Sequence, residues 1–196
     1  MINIEEHRTA LNDIGNEMLN LCTKQLLKSI NSFTTNDSDL SEEVINTENR
    51  VNALDLIIER ECEEFIAMFN PVAIDLRFVL ALRKINFDLE RIGDHAYGIS
   101  SFVSNNELVI EKNLLEEVNF NSMITIVKVM FENIETAYNE GNLKAARKVF
   151  KLDKKVDKIN EDSFKLLSNI IRKNIEFTEQ ALLLFSVIKK VERVGD

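Results

Sequence analysis

The chain has 196 residues, 33 acidic against 24 basic side chains for a formal net charge of −9, five glycines, one proline and no tryptophan. So acidic a balance lacks the clustered Lys and Arg that displace counterions from phosphate backbones, which argues against a nucleic-acid partner, and so few turn formers argue against a sheet-rich fold. A chain of this length buries roughly 70% of the surface its unfolded form exposes, and 45% hydrophobic with 29% charged residues reads as a globular, all-α protein.

The N-terminal MINIEEHRTA is acidic where a secretory signal would be basic and then apolar. The longest apolar run, ALLLFSVI at 181–188, falls far short of the ~20 residues that cross a bilayer. Both features predict a cytoplasmic protein with no membrane span of its own. His7 stands in an acidic first helix and is expected to be solvated. Cys22 and Cys62 lack CxxC spacing and read as small buried hydrophobes of a reducing compartment.

Breaks at TTNDSD (34–39), at Asn70 and Pro71, at SNNE (104–107), at NEGN (139–142) and at NIEFT (174–178) divide the chain into six segments of helical length. Asn70 followed by Pro71 predicts a helix start, because Asn caps orphan N–H groups and proline loses no bond at the first helical position. The third segment carries Phe78, Leu82, Ile85, Leu89, Ile92, Ala96, Ile99 and Val103, an apolar stripe at helical period. Val149, Leu152, Val156, Ile159, Leu166 and Ile170 form another in the fifth. The twelve Phe and five Met, at helical spacing, are expected in the core.

The sequence repeats internally. A shift of 105 residues carries Met18 onto Met123, Val44 onto Val149, Val51 onto Val156, and Glu48 with Asn52 onto Asp153 with Asp157. A shift of 102 carries Leu80 onto Leu182 and ERIGD (90–94) onto ERVGD (192–196). The three-residue difference falls between the second and third helices of each unit, where a loop can vary. The predicted fold is a duplicated antiparallel three-helix bundle, residues 1–106 and 107–196, with its seam near 104–113.

Glu90 and Asp94 stand at i, i+4, so their carboxylates leave one face of a helix one turn apart. Glu192 and Asp196 repeat them. If each second helix lies beside its third, Asp153 and Asp157 in one unit, and Glu48 and Asn52 in the other, complete four oxygen-bearing side chains per unit. A hard or borderline divalent cation takes such a set, since it removes the repulsion and accepts carboxylate oxygens. Gly93 and Gly195 sharpen this, because a helical glycine costs about 1 kcal/mol relative to alanine and its recurrence points to a space that must stay open. Any single acidic pair, taken alone, reads first as a solvated helix face, and it is the four aligned positions with the repeated glycine that favour a metal.

NPVAIDLRFVLALRKINFDLERIGDHAYGIS (70–100) and its echo VIKKVERVGD (187–196) closely resemble the PhoU family, and the resemblance extends over essentially the whole chain. It implies an all-helical, usually dimeric cytoplasmic regulator. Such a protein restrains phosphate uptake and phosphate-starvation signalling by contact with the ATPase of the phosphate transporter and with a membrane sensor histidine kinase. Some members carry multinuclear iron or zinc on paired acidic motifs, with manganese or magnesium as further candidates. Carried over by position, those motifs fall on Glu48, Glu90 and Asp94, and on Asp153, Asp157, Glu192 and Asp196. Asn52 stands where the family usually has a carboxylate, so the first site is expected to be the weaker. By the repeat, the last helix should run on as HAYGISSFVS does after Asp94, and the C-terminus reads as cut short.

His95 points about 100° around the helix from Asp94 and is expected to serve the surface or the packing. Arg91 and Arg193 are expected in structural ion pairs with neighbouring carboxylates rather than on phosphate. No ExxH pair, Gly-rich phosphate loop or nucleophile set is present, so an enzyme is not expected. The alternatives are a metal-independent helical adaptor for another phosphate carrier and, behind it, a carboxylate-bridged metalloenzyme.

Overall fold

The computed structural model describes residues 3–105 and 109–195. These form α1 (Ile4–Thr35), α2 (Ser38–Phe69), α3 (Ala73–Asn105), a short α4 (Lys112–Glu117), α5 (Phe120–Glu140), α6 (Leu143–Lys173), a 3₁₀ turn (Ile175–Phe177) and α7 (Thr178–Arg193). The predicted all-α architecture is present, with α4 and the 3₁₀ turn as additions to the six expected helices. No described helix is long and apolar enough to cross a membrane.

Side-chain chemistry at the helix ends explains the breaks. Asn36 takes the left-handed conformation that ends α1, and Asp37 then accepts from the Leu40 N–H at 2.9 Å to start α2. Gly141, at φ 64°, ends α5, and Asn142 caps the Lys144 and Ala145 N–H groups of α6. Asn70 differs from its predicted role. It sits at φ 44° and donates its N–H to the Ile66 carbonyl, so it ends α2 rather than starting α3. Asn suits both ends of a helix, and a proline just beyond a C-terminal cap stops the helix as surely as it opens the next.

Short connections make neighbours antiparallel. Gln25 meets Glu48 across α1 and α2, while Ser41 meets the Ser100 carbonyl and Asp55 meets Asn86 across α2 and α3. In the second half α6 packs against both α5 and α7. The halves are joined where α5 lies on α1, with Tyr138 donating to the Asn12 carbonyl at 3.4 Å. Gly15 is required there, since a Cβ would stand 2.3 Å from the tyrosine oxygen.

The apolar core falls into two clusters. One comprises Met18, Cys22, Val51, Ile58, Phe65, Val79 and Leu89 with neighbours at one end of α1–α3. The other joins Leu26, Ile30, Phe33, Val44, Ala96 and Ile99, from the far end of the same three helices, to the core of α5–α7. Both cysteines are buried, and burial pushes the Cys22 thiol up to about 12 and Cys62 up to about 11. The expectation that the Phe and Met side chains lie in the core does not hold throughout. Phe87, Phe150 and Phe164 are exposed, as is Met68, because these positions fall on outer helix faces. His7, expected in solvent, is half-buried and meets the Phe69 ring edge-on at 5.2 Å.

Candidate metal centre: two acidic layers

The boundary between the two core clusters in the first unit is a polar layer. Cys22, Val51 and Leu89 lie below it and Leu26, Val44 and Ala96 above it. Between them stand Gln25, 2% exposed, and Glu48, 8% exposed, opposite Gly93 of α3. Gln25 Nε2 donates to Glu48 Oε2 at 3.0 Å and to the Val44 carbonyl at 3.3 Å. A Cβ on Gly93 would lie 3.0 Å from Val51 Cγ1, 3.2 Å from Gln25 Oε1 and 3.5 Å from Glu48 Oε2, so the glycine holds this approach open.

Glu90 and Asp94 flank the layer from α3 as the spacing predicts, Glu90 half-buried and Asp94 exposed. Burial raises the Glu48 pKa and the charge of Asp94 adds to it, against the Gln25 hydrogen bond and the nearby Asn52 amide. Asn52 itself is exposed. Glu90 is likewise raised, first by burial and then by Asp94, Asp55 and Glu48.

Asp55 and Gln25 belong to this cluster and were not singled out in the sequence. Asp55 follows Glu48 by seven residues, two helical turns on the same face. It accepts from Asn86 Nδ2 at 2.6 Å, and burial lifts its pKa above the ordinary carboxylate range. Gln25 continues the buried row Met18, Cys22, Ser29. A polar residue inside an apolar period was the available signal for it.

The second unit repeats the layer with different parts. Asp153 on α6 faces Gly195, where a Cβ would stand 2.6 Å from Asp153 Oδ1, and Asp157 is half-buried one turn on. Glu192 on α7 accepts from Asn160 Nδ2 at 2.9 Å and pairs with Lys189 at 3.8 Å. Asp196 lies outside the described residues. By the 105-residue shift Asn52 and Asp55 correspond to Asp157 and Asn160. The amide and the carboxylate have exchanged places, so each unit keeps one of each.

The donors suit a hard or borderline cation. Glu48 Oε1, Gln25 Oε1 and Asn86 Oδ1 are buried and have no hydrogen-bond partner among the described residues, and all three are oxygen acceptors beside the carboxylates. Among the described residues, however, no three or more His, Cys, Asp or Glu side chains stand where they could together hold a metal ion. Arg91 pairs with Asp88 at 3.9 Å, as expected of a structural cation. Arg193, for which an ion pair was also expected, is exposed and makes none with the described residues. A cleft of about 880 Å³ lined by Arg8, Phe78, Tyr138 and Phe150 contains none of the acidic residues of either layer.

This geometry can be set beside known proteins. The PhoU domain matches residues 16–103 and again 120–196, one match for each three-helix unit. The chain belongs to the PhoU family. It is 28% identical over 200 residues to the phosphate-specific transport system accessory protein PhoU homolog 1 of Thermotoga maritima, covering 100% of this chain and 84% of that protein. It is 30% identical over 177 residues to the PhoU homolog of Aquifex aeolicus, covering 90% and 79%. The crystal structure of the phosphate transport system regulatory protein PhoU from Streptococcus pneumoniae superposes with a TM-score of 0.81 at 21% identity, over 99% of this chain and 90% of that one. PhoU from Pseudomonas aeruginosa gives 0.74 at 23%, over 98% and 88%. At those identities the superpositions establish the shared fold.

Proposed function

We propose that this PhoU-family chain is an accessory regulator of phosphate-specific transport that acts by protein contact. It restrains uptake and phosphate-starvation signalling through the transporter ATPase and a membrane sensor histidine kinase, as a cytoplasmic homodimer without catalysis of its own. The names of its relatives, and their match along nearly the whole chain, support the transport role.

A transition metal, iron or zinc first, completes the working form. Glu48, Glu90, Asp94 and Asp55 would hold it in the first unit, with Asn52 as a neutral oxygen donor. Asp153, Asp157, Glu192 and Asp196 would hold it in the second. Bound there, the cation supplies positive charge between carboxylates of adjacent helices and fixes their mutual position. The observation that carries this reading is the buried, unpartnered Glu48 oxygen beside two further acidic groups, an arrangement that costs stability until a cation satisfies it.

Elemental analysis of the purified protein beside an Asp153→Asn, Asp157→Asn double variant tests the proposal. Stoichiometric iron or zinc, reduced in the variant together with its hold on the transporter ATPase, is the expected result. That no three His, Cys, Asp or Glu among the described residues stand where they could together hold a metal ion favours the second reading, a metal-independent adaptor. Metal-free protein that stays folded, refuses added ions and still binds the ATPase would establish that one instead.

A further inference from the structure

The overall charge of −9 hides one strongly basic face. Seven of the 24 basic residues fall between 144 and 158, on the first half of α6. Lys144, Lys148, Lys151 and Lys155 follow at spacings of four, three and four residues and so form one row, with Arg147 and Lys154 beside it. All six are exposed, and none makes an ion pair among the described residues. Lys158, the seventh, is held by Asp162 at 2.8 Å. The two acidic residues of the stretch serve the layer described above: Asp153 faces Gly195, and Asp157 is half-buried.

The fold does not ask for these cations. By the 105-residue shift Lys144, Arg147, Lys148 and Lys151 correspond to Asp39, Glu42, Glu43 and Asn46, which are exposed on the matching helix, α2, of the first unit. The same face of the same helix is thus acidic in one copy and basic in the other. In α6 the like charges stand three and four residues apart over about 17 Å, a spacing at which they repel one another. Two large apolar side chains border the row. Leu143, 72% exposed, and Phe150, 71% exposed, are two turns apart and alternate with Arg147 and Lys154 along the helix. The residue types choose the partner. Five of the six unpaired cations are lysine, a hydrated point charge without the fork by which arginine grips carboxylates, and one that is depleted where proteins meet proteins. Such a set answers the diffuse field of an anionic bilayer, to which each added cation strengthens adsorption. Exposed Leu and Phe beside a basic row are what a helix lying in the headgroup layer presents.

We propose that the first half of α6 rests on an anionic lipid bilayer, its cations against lipid phosphates and Leu143 and Phe150 in the headgroup layer. The chain then lies on the membrane without spanning it. Because the rest of the chain is acidic, it meets such a surface in one orientation, with α6 toward the lipid. The proposal rests neither on metal at the acidic layers nor on the choice of transport partner.

The test sediments the full chain with vesicles of equal parts phosphatidylglycerol and phosphatidylcholine, and with vesicles of phosphatidylcholine alone. Lys148→Glu combined with Lys151→Asn installs the side chains that the first unit carries at those positions, so the fold accommodates them. Lys24→Glu combined with Lys84→Asn makes the same change of charge at exposed sites of the first unit and serves as the control. Expected is binding to the anionic vesicles alone, weakened by salt, weaker by about tenfold or more in the α6 variant and nearly unchanged in the control. Soluble polyglutamate or duplex DNA bound as tightly at equal charge concentration would assign the face to an acidic protein or a nucleic acid and overturn the proposal. So would absence of binding to the anionic vesicles, equal binding to the neutral ones, or the same affinity in both double variants.

Discussion

The two acidic layers occupy matching places in the two units, but their supports differ. In the first, the amide of Gln25 holds Glu48 at 3.0 Å inside the bundle. Its counterpart by the 105-residue shift is Met130, whose terminal methyl comes within 3.4 Å of a Cβ position on Gly195. The place of the hydrogen-bond donor beside Glu48 is thus taken, near Asp153, by a thioether. Duplication has kept the position of the acid and of the glycine opposite it, while the neighbour that sets the acid's energy has been free to change.

The comparison is tested most severely in the core. Met18 and Met123 are related by the repeat and both are fully buried. Truncating either to alanine is expected to cost about 2–5 kcal/mol. Since one apolar cluster joins the far end of α1–α3 to α5–α7, each variant should lower a single urea transition. Two transitions, with each variant moving only its own, would mean that the halves fold separately.

Gln25→Met gives the first layer the second one's support. It removes the donor to a buried carboxylate and should cost about 1–3 kcal/mol at neutral pH. The pH dependence carries the sign. The Glu48 carboxyl has a raised native pKa, so the folded state holds its proton more tightly than the unfolded chain does. Its contribution to stability is therefore greatest below the unfolded value and declines as pH rises through the native one. In metal-free protein, denaturation of the parent and of Glu48→Gln should diverge across that window, the variant becoming the more stable at neutral pH. Parallel curves would show that Glu48 ionises in the fold as it does in water.

The smallest effect is expected outside both layers. Arg83 on α3 lies 3.7 Å from both Glu59 and Glu63 of α2, with all three side chains well exposed. Arg83→Ala should cost no more than about 1 kcal/mol and lose its effect in high salt. A larger, salt-insensitive loss would place the coupling of α2 to α3 on this rim rather than on the buried layer.

Much of this was legible in the sequence because periodicity reports burial. The helices, the duplication and the face shared by Glu90 and Asp94 all follow from spacing. Gln25 and Asp55 were missed for a physical reason: their roles depend on which helix lies opposite, and spacing within one helix carries no information about its neighbour. Asn70 was misassigned because the same side chain serves a helix start and a left-handed helix end, and only backbone geometry separates them. The exposed Phe87, Phe150 and Phe164 show the limit of composition, since hydrophobic character alone does not put a residue inside.

A copied unit ordinarily leaves its natural parting line between the copies. Here the continuous greasy mass crosses that line, and the interruption falls inside the first copy, at the height of Gln25, Glu48 and Gly93. A partner that prised the copies apart would have to tear open an oily interior, whereas one that twisted the near end of α1–α3 against the far end would work along a seam already lined with polar atoms. The break in the apolar interior and the boundary between the copies are therefore in different places.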